Sequence, residues 1–370
     1  MRYYLIAGEA SGDLHGANLM KALKAEDSIA DFRFFGGDLM KAQGGTLVKH
    51  YADMAYMGFV EVVLNLSTIL KNLKQAKADI LSNRPDVLIL IDFPGFNLKV
   101  AKFAKQNNIR VFYYISPKVW AWNQKRVLNI KKVVDKMFCI LPFEVDFYKS
   151  WGLDVDYIGN PLLDAISLNV PDELFHMNHD LGTKSIIALL PGSRKQELSN
   201  ILPDMMAVSD AFPKYQFVIA GAPTFTLADY QTYIGNRDIK VVFNSTYNLL
   251  LNSVAAIVTS GTATLETALL KTPQIVVYKG NSISIGIARL VIKIKFISLV
   301  NLIMDDLVVK ELIQKDCNPI KIADELNSIL YDELYITKML INYQELAVKM
   351  GKPGASEKAA KLMSGYLIAL

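Results

Sequence analysis

The chain contains the stretch IIALLPGSRKQEL at residues 186–198, and this stretch decides the fold. Five apolar residues run directly into Pro191 and Gly192, which is typical of a strand that is buried on both faces and ends at a loop. A helix-favouring sequence follows, and Ser193 can cap it. Arg194 lies at the helix N-terminus, where free amides, the helix dipole and a guanidinium favour an anion. The alternative is an ordinary turn whose arginine pairs with a surface carboxylate.

Composition limits the class of the protein. At 370 residues the chain is too long for one ordinary core, which predicts two domains. Hydrophobic residues make up 52% of it, which implies much buried sheet or a membrane-facing surface. The net charge of +4 comes without a basic block, so no nucleic acid partner is expected. Cys139 and Cys317 suggest neither a metal cluster nor a disulfide framework, and they favour a reducing compartment.

The first half of the chain alternates strand and helix patterns. Residues 3–7 are apolar and end at the loop GEASGD, and further strand patterns end before Asp92 and Ser116. This alternation predicts parallel strands with right-handed helical crossovers. We expect residues 1–8 to contain a first strand and not a signal peptide, because no long apolar core or small-residue cleavage site follows. Ligands of such sheets bind at the carboxyl ends of the strands, where these loops should converge.

Carboxylates stand at two of these strand ends. GEASGD lacks the third glycine of the dinucleotide fingerprint, so no dinucleotide cofactor is predicted. Its Glu9 and Asp13 either hold sugar hydroxyls or cap the helix that follows. In IDFPGFN, Asp92 can take a proton from an attacking hydroxyl, or it can cap the helix that Pro94 starts.

An aromatic and basic segment follows the strand that ends before Ser116. The sequence SPKVWAWNQKR places Trp120 and Trp122 beside Lys125 and Arg126. Flat apolar faces next to cations suit a sugar phosphate or a lipid headgroup region. The alternative is a core tryptophan pair with a solvated basic flank.

Residues 59–73 have apolar side chains at helical spacing on more than one face. Such a helix is either fully buried or faces lipid, and Lys71, Lys74 and Lys77 at its end suit the edge of an anionic membrane. The membrane alternative would expose Val62, Val63, Leu66, Ile69 and Leu70 to lipid.

The second half contains another strand-to-helix turn in TSGTATLETALL, residues 259–270. Its amides at Ser260, Gly261 and Thr262 again suit an anion. Glu266, about one helical turn further, can accept both hydroxyls of a ribose or pair with a lysine. Further along, residues 283–302 fit either a partly buried or a membrane-grazing surface, and residues 307–313 fit a helix.

Domain boundaries follow from the turn residues in YIGNPLLD, residues 157–164. We expect an N-terminal domain over residues 1–165 and a C-terminal domain over residues 166–344. A C-terminal helix at about residues 345–370 should complete the first domain.

Seven motifs occur in register between residue 5 and about residue 320: GEASGD (8–13), MGFVEV (57–62), IDFPGFN (91–97), SPKVWAW (116–122), LPFE (141–144), LLPGSR (189–194) and SGTATLE (260–266). Together they resemble those of the lipid-A-disaccharide synthase family, glycosyltransferases that join two acylated glucosamines. The resemblance implies the α/β GT-B fold, in which two Rossmann-like, doubly wound domains face each other across a cleft. It implies that residues 1–165 form the acceptor-binding and membrane-facing domain and that residues 166–344 form the UDP-sugar-binding domain. It also implies a peripheral location on the cytoplasmic face of the inner membrane of a Gram-negative bacterium.

The resemblance further implies the reaction. The donor is UDP-2,3-diacylglucosamine, the acceptor is 2,3-diacylglucosamine 1-phosphate, and the products are UDP and a β-1,6-linked disaccharide phosphate, with no cofactor and no metal. Asp92 matches the essential aspartate. The donor-side residues are Gly192, Ser193, Arg194, Ser260, Gly261, Thr262, Glu266 and Asn301. The acceptor-side candidates are Glu9, Ser11, Gly12, Asp13, Ser116, Trp120, Trp122, Lys125 and Arg126.

Two positions depart from the family pattern. Gly95 stands where many relatives have a second aspartate, and Asn160 stands where a histidine is common. These departures disfavour a two-carboxylate mechanism in the Asp92 loop and a histidine role near residue 160.

The mechanism that follows is a single displacement with inversion. Asp92 accepts the proton of the acceptor hydroxyl, and UDP leaves toward Arg194 and the amides of residues 260–262. Two alternatives are a UDP-sugar 2-epimerase of the same architecture and a non-catalytic UDP-sugar-binding protein. The sequence leaves the oligomeric state open.

Overall fold

The structure is a computed structural model that describes residues 1–54, 66–280 and 295–368. The chain divides into two compact units. The first unit comprises Met1–Asp164 and Lys352–Leu370, and the second comprises Ala165–Gly351. The chain therefore leaves the first unit once and returns to it at its C-terminus.

The first unit is built on a seven-stranded sheet. Its strands are β1 (Arg2–Ala7), β2 (Asp31–Gly36), β3 (Thr46–His50), β4 (Val87–Ile91), β5 (Arg110–Tyr114), β6 (Lys136–Cys139) and β7 (Asp156–Tyr157). They lie in the order β3-β2-β1-β4-β5-β6-β7, and every neighbouring pair is parallel. The helices described between these strands and just after β7 are α1 (Ala10–Glu26), α2 (Asp38–Ala42), α3 (Leu66–Asn83), α4 (Pro94–Gln106), α5 (Val119–Trp122), α6 (Val127–Val133), α7 (Phe143–Ser150) and α8 (Pro161–Ser167).

The second unit is built on a six-stranded sheet. Its strands are β8 (Ile186–Leu190), β9 (Gln216–Gly221), β10 (Lys240–Phe243), β11 (Ser253–Thr259), β12 (Gln274–Tyr278) and β13 (Glu311–Ile313). Their order is β10-β9-β8-β11-β12-β13, again with parallel pairs throughout. The described helices are α9 (Phe175–Asn178), α10 (Lys195–Ala211), α11 (Leu227–Ile234), α12 (Thr246–Leu251), α13 (Thr262–Leu269), α14 (Leu299–Met304), α15 (Pro319–Tyr331) and α16 (Glu333–Met350).

Both sheets have the doubly wound strand order, which confirms the predicted fold class. The chain moves outward from β1 to β3, returns to the other side of β1 with β4, and repeats this path from β8 to β11. The central strands β4 and β8 are buried at all five positions, as their unbroken apolar runs predict. Ligands of such sheets bind at the carboxyl ends of the strands where the order reverses, beside β1 and β4 and beside β8 and β11.

The last helix, α17 (Ala355–Ile368), belongs to the first unit. Its buried residues Ala359, Ala360 and Met363 join the apolar cluster that also contains Leu19 and Leu23 of α1. The small side chains of Ala359 and Ala360 let α17 approach α1 closely. The same cluster contains Leu5 of β1 and Ile89 of β4, so α17 packs on one side of the first sheet.

One predicted element is wrong. Residues 307–313 fit a helix in the sequence, but Glu311–Ile313 forms β13, which pairs with β12 at the sheet edge. A three-residue strand is too short to show an alternating pattern, so periodicity alone cannot identify it. None of the described helices is long and apolar enough to cross a membrane.

Candidate functional site

The loop after β4 carries Asp92 on an unusual backbone. Asp92 and Phe93 have φ values of 43° and 48°, a left-handed conformation that costs a non-glycine residue about 1–2 kcal/mol. Two hydrogen bonds fix this turn through the Asp92 carbonyl oxygen, which accepts from Asn97 Nδ2 at 2.8 Å and from the Tyr113 hydroxyl at 2.6 Å. Strain held in this way at a sheet switch point is a feature of functional sites.

The Asp92 carboxylate is half-buried, and no side chain in the described part of the chain donates a hydrogen bond to it. Burial raises the pKa of this carboxyl group above its ordinary value. The ammonium of Lys118 lowers the pKa, the carboxylate of Glu9 raises it, and the Phe93 amide lowers it by donating a hydrogen bond. A carboxylate whose proton affinity is raised by burial is suited to general-base catalysis.

The loops after β1 and β4 are in contact, as predicted. A Cβ atom at Gly8 would lie 2.3 Å from the Phe93 ring, so only glycine lets the ring lie against this loop. Glu9 follows as the N-cap of α1 and makes no capping hydrogen bond with its side chain. Ser11 is exposed in the first turn, whereas Gly12 packs on Ala7, whose Cβ would be 3.2 Å from a Cβ at position 12.

Asp13 is used for structure, and this removes it from the acceptor-side candidates. It is buried, and its two carboxylate oxygens accept hydrogen bonds from the backbone amides of Gly37 at 2.7 Å, Leu39 at 3.1 Å and Met40 at 3.1 Å. These amides lie at the N-terminus of α2. Asp13 therefore caps α2. The sequence had suggested that it caps α1, the helix that contains it.

Ser116 and Trp120 are also corrected, because both are buried partners of Glu144. The Ser116 hydroxyl donates to Glu144 Oε1 at 2.6 Å, and Trp120 Nε1 donates to the same oxygen at 3.1 Å. Trp120 is only 8% exposed and packs edge-on against Phe143. Its ring faces are therefore unavailable to a sugar.

Glu144 is a residue that the sequence reasoning missed. Its Oε2 accepts from the Leu141 amide at 3.0 Å, so the carboxylate ties the loop after β5 to the loop after β6. Burial raises the pKa of Glu144 to about 7, although the hydrogen bonds it accepts act in the opposite direction. The only indication of Glu144 in the sequence was its position in the motif LPFE.

The basic flank of this segment remains accessible. Lys125 is exposed and Arg126 is half-buried, next to the short helix α5. The side chain of Trp122 lies outside what the structure describes, and so do Val62 and Val63. Lys118, which the sequence reasoning did not single out, is exposed and is the cation that acts on Asp92.

The loop after β8 has the predicted shape. Gly192 has a φ of 103°, and a Cβ atom there would lie 2.4 Å from Glu197 Oε2. The helix α10 begins at Lys195 with Arg194 as its N-cap, so the prediction that Ser193 caps it is wrong. Instead, Glu197 Oε2 accepts from the backbone amides of Ser193 at 3.1 Å and Arg194 at 3.3 Å.

The Arg194 side chain is 68% exposed at this loop. Its Nη1 lies 3.4 Å from Glu197 Oε1, while the Glu197 side chain is only 16% exposed. Two backbone amides and a guanidinium thus converge on one carboxylate at the helix N-terminus. This arrangement of donors is suited to an anion such as phosphate.

The loop after β11 lies beside the loop after β8 in the sheet order. Gly261 is the exposed N-cap of α13, and Thr262 is exposed in its first turn. The Ser260 hydroxyl is used within the protein, where it donates to the carbonyl oxygen of Ile297 at 2.9 Å. The amides of this turn nevertheless stand at the N-terminus of a helix, which favours negative charge.

Glu266 is half-buried in α13, and its pKa is raised by burial. The Tyr247 hydroxyl donates to Glu266 Oε1 at 2.9 Å, which lowers that pKa and orients the carboxylate. Tyr247 belongs to α12, and no local pattern in the sequence indicates this contact across 19 residues. One carboxylate oxygen of Glu266 is left for a hydroxyl of a ligand.

Asn301 does not offer polar atoms to a nucleotide, so this donor-side prediction is corrected. It is fully buried, its Oδ1 accepts from the amides of Val308 and Val309, and its Nδ2 donates to Glu311 Oε1, each at 2.9 Å. Glu311 also accepts from the amide of Ser298 at 2.9 Å. Asn301 therefore holds residues 308–311 against α14. Residues 283–294 of the stretch that fits a partly buried or membrane-grazing surface lie outside the described residues.

The surface of α3 exposes apolar side chains. Leu66 is 50% exposed and Leu70 is 53% exposed. Of the two alternatives for this segment, full burial is therefore wrong at these two leucines. Lys71 and Lys74 are exposed on the same helix. A cavity of about 260 Å³ lies between α3 and the Asp92 loop, and its apolar lining comes from Met54, Leu66, Ile69, Leu73, Phe93 and Phe96.

The two departures from the family pattern have structural counterparts. A Cβ atom at Gly95 would meet nothing within 4 Å, so this position has room for a side chain. Asn160 is buried, donates to the carbonyl of Ile140 at 3.1 Å and accepts from the amide of Leu162 at 3.0 Å. No group of three or more His, Cys, Asp or Glu suited to a metal ion occurs in the described ranges.

Comparison with solved structures shows the fold. A co-structure of S. aureus MnaA with UDP matches with a TM-score of 0.71 at 15% identity and covers 100% of this chain and 97% of that one. A UDP-GlcNAc 2-epimerase from Neisseria meningitidis bound to UDP-GlcNAc matches with a TM-score of 0.66 at 13% identity and covers 100% of both chains. At these identities the likeness shows two Rossmann-like units of the GT-B type and nothing more.

Comparison of sequences is more specific. A family model described as lipid-A-disaccharide synthetase matches residues 3–364. The lipid-A-disaccharide synthase of Syntrophus aciditrophicus (strain SB) is 41% identical over 367 residues, with 96% of this chain and 95% of that protein covered. The synthase of Trichlorobacter lovleyi is 36% identical over 369 residues, with 98% and 96% covered. The chain belongs to the lipid-A-disaccharide synthase family and is a hexosyltransferase.

Proposed function

We propose that the protein transfers a diacylglucosamine unit from UDP-2,3-diacylglucosamine to 2,3-diacylglucosamine 1-phosphate, with inversion at the anomeric carbon. The observation that carries this proposal is Asp92 at the first switch point, a half-buried carboxylate on a fixed backbone with no side-chain hydrogen bond in the described residues. The products are UDP and a β-1,6-linked disaccharide 1-phosphate.

Asp92 is the proposed general base. Its pKa is raised by burial, so the carboxylate takes a proton from the 6-hydroxyl of the acceptor more readily than an exposed aspartate would. Lys118 lowers this pKa and Glu9 raises it, so both charges act on the proposed base. Because the turn is held through its carbonyl oxygen, the carboxylate itself remains available for the substrate.

Arg194 and the helix N-termini of the second unit are the proposed donor site. Negative charge develops on the pyrophosphate as the bond to the sugar breaks. Hydrogen-bond donors that are already in position stabilise this charge more in the transition state than in the ground state. Gly192 and Ser193 shape the loop, and Gly261 and Thr262 begin the second helix. Glu266 is the proposed partner of the ribose hydroxyls.

The first unit is the proposed acceptor and membrane-facing domain. The apolar cavity beside the Asp92 loop has the chemistry for part of an acyl chain, and it is lined by residues of α3. Leu66 and Leu70, exposed next to Lys71 and Lys74, suit contact with an anionic bilayer surface. Glu9, Ser11, Lys125 and Arg126 remain the acceptor-side candidates. The proposed location is the cytoplasmic face of the inner membrane of a Gram-negative bacterium.

The direct test is to supply the purified protein with the two acylated glucosamines and to identify the products. The proposal predicts equimolar UDP and a disaccharide 1-phosphate whose new linkage is β by NMR. Release of a free epimerised sugar would instead identify a UDP-sugar 2-epimerase. Binding of the donor without any product would indicate a binding protein.

Replacement of the base is the sharpest variant in this assay. Asp92→Asn removes the proton acceptor and should lower turnover by about 10³-fold, within the range for general-base catalysis. The matched control is Asp86→Asn, the same change at the opposite end of the same strand, where Asp86 accepts from the Arg2 amide at 2.7 Å. Normal turnover in Asp92→Asn would refute the assignment of the base.

A further inference from the structure

Glu197 occupies the donors that the proposed function gives to phosphate. Its Oε2 accepts from the amides of Ser193 at 3.1 Å and Arg194 at 3.3 Å, and its Oε1 lies 3.4 Å from Arg194 Nη1. The backbone at Gly192 passes directly over this carboxylate, since a Cβ atom there would lie 2.4 Å from Oε2. The carboxylate therefore fills the anion position of the loop.

The occupant is an anion of the same hydrogen-bonding type as a phosphate. Carboxylate and phosphate oxygens both accept from backbone amides at a helix N-terminus and from a guanidinium. Two negative groups in contact repel each other, and the donors cannot serve both at once. A pyrophosphate that uses these amides must therefore displace Glu197.

The local geometry permits this displacement. Glu197 lies in the first turn of α10, and the Arg194 side chain that accompanies it is 68% exposed. Rotation of one glutamate side chain would free both amides without unfolding the helix, because the first backbone amides of a helix have no partner within it. The Thr224 hydroxyl donates to the carbonyl oxygen of Ser193 at 3.1 Å, which helps to hold the loop in place meanwhile.

We propose that Glu197 is an internal competitor of the donor phosphate. In the empty enzyme it occupies the amides of Ser193 and Arg194, and it is displaced when the nucleotide binds. After transfer, its return to the amides promotes release of UDP. This inference rests on the proposed donor site and assigns Glu197 the role of a positioning residue.

The alternative role is purely structural. A glutamate that accepts from the backbone amide of the N-cap residue stabilises the first turn of a helix. In that case its removal would loosen the loop and weaken nucleotide binding. The two roles therefore predict opposite signs for the change in UDP affinity, which makes the affinity a readout that a structural role cannot imitate.

The test is isothermal titration of UDP into the full-length wild type, Glu197→Ala and Glu197→Gln. We expect the Kd of Glu197→Ala to fall about tenfold, because a charged contact no longer has to be broken. Glu197→Gln keeps an acceptor oxygen and loses the charge, so its Kd should lie between the other two. An unchanged or higher Kd in both variants would overturn the proposal.

The matched control removes another helix cap of the same unit. Asp332 accepts from the Tyr335 amide at 3.0 Å at the start of α16. The hydroxyl of its neighbour Tyr331 lies 3.3 Å from that of Tyr215, which precedes β9 and so lies at the end of the sheet opposite the switch-point loops. Asp332→Ala should lower the melting temperature and leave the Kd of UDP unchanged. If the wild type itself fails to bind UDP, the proposed donor site fails and the inference fails with it. If the wild type binds UDP and only the predicted sign is wrong, the inference alone fails.

Discussion

The two switch points of this protein have the same topology and opposite chemistry. Beside β1 and β4 the prominent group is the carboxylate of Asp92, which no described side chain hydrogen-bonds. Beside β8 and β11 the prominent groups are backbone amides and Arg194, and a carboxylate of the protein already fills their anion position. One fold thus presents a carboxylate in one unit and hydrogen-bond donors in the other, and the difference lies in the loop residues.

The comparison also shows how each loop is held. The Asp92 turn is held by side chains that contact its carbonyl oxygen, which leaves the reactive group free. The loop before α10 is held by Glu197 through the very groups that a ligand would need. A ligand can reach the Asp92 carboxylate without breaking the hydrogen bonds that hold its turn. A phosphate that binds the amides of Ser193 and Arg194 would have to replace the Glu197 carboxylate.

The largest expected effect in the second unit comes from Arg194→Ala. Loss of a positioned donor to a developing negative charge should lower turnover by about 10²–10³-fold. The control is Arg237→Ala, which removes an arginine of the same unit whose Nε and Nη2 each lie 2.7 Å from Asp210. Steady-state kinetics measures both variants. An equal loss of turnover in the two would contradict a specific role of Arg194 at the donor site.

The buried Glu144 makes a prediction about stability in the first unit. Burial raises its pKa to about 7, so the folded state binds the proton more tightly than the unfolded state does. This stabilisation is fully present below the unfolded pKa and is lost as the pH rises through 7, by an amount on the order of 3 kcal/mol. Calorimetry from pH 4 to 8 should show a decline in the melting temperature that Glu144→Gln lacks. Parallel curves for the two proteins would contradict it.

The exposed face of α3 gives a smaller effect, on membrane binding. Leu66→Ser and Leu70→Ser should each weaken binding to anionic vesicles by about tenfold, since each removes a largely apolar contact. The control is Leu334→Ser, which changes an 84% exposed leucine of the second unit. Vesicle sedimentation measures all three variants. Equal loss in the control, or none in the α3 variants, would refute a lipid-facing first unit.

The smallest effect is a pair of shifts in the pH profile. Turnover should fall as the pH drops through the raised pKa of Asp92, because the base becomes protonated. Lys118→Ala removes a charge that lowers this pKa, so the acid limb should move to higher pH. Glu9→Gln removes a charge that raises it, so the limb should move to lower pH. We expect shifts of about a few tenths of a unit that shrink at high salt. Shifts of the same sign would show that the limb reports another group.

The sequence was sufficient for what depends on local pattern. Runs of apolar residues that stop at glycine, proline or aspartate located the central strands and the loops at both switch points. Asp92, Arg194 and residues 260–262 were therefore found at the correct ends of their strands. The helical pattern at residues 307–313 failed because a short edge strand has too few residues to show its period.

Contacts between distant residues could not be read from the sequence. Asp13 caps a helix whose amides come 24 to 27 residues later, and Ser116 lies 28 residues from Glu144. The family resemblance placed Asn301 on the donor side, and its hydrogen bonds to the amides of Val308 and Val309 follow no local sequence pattern. Glu197 was not found, because the capping-box signature requires serine or threonine three residues before the glutamate and Arg194 stands there.

The measurement that tests the division between the two units most directly is the affinity for UDP of Asp92→Asn and Arg194→Ala, determined beside their turnover. If the first unit supplies the base and the second binds the leaving group, Asp92→Asn binds UDP as tightly as the wild type while its turnover collapses. Arg194→Ala loses both. An equal loss of UDP affinity in the two variants would contradict the account.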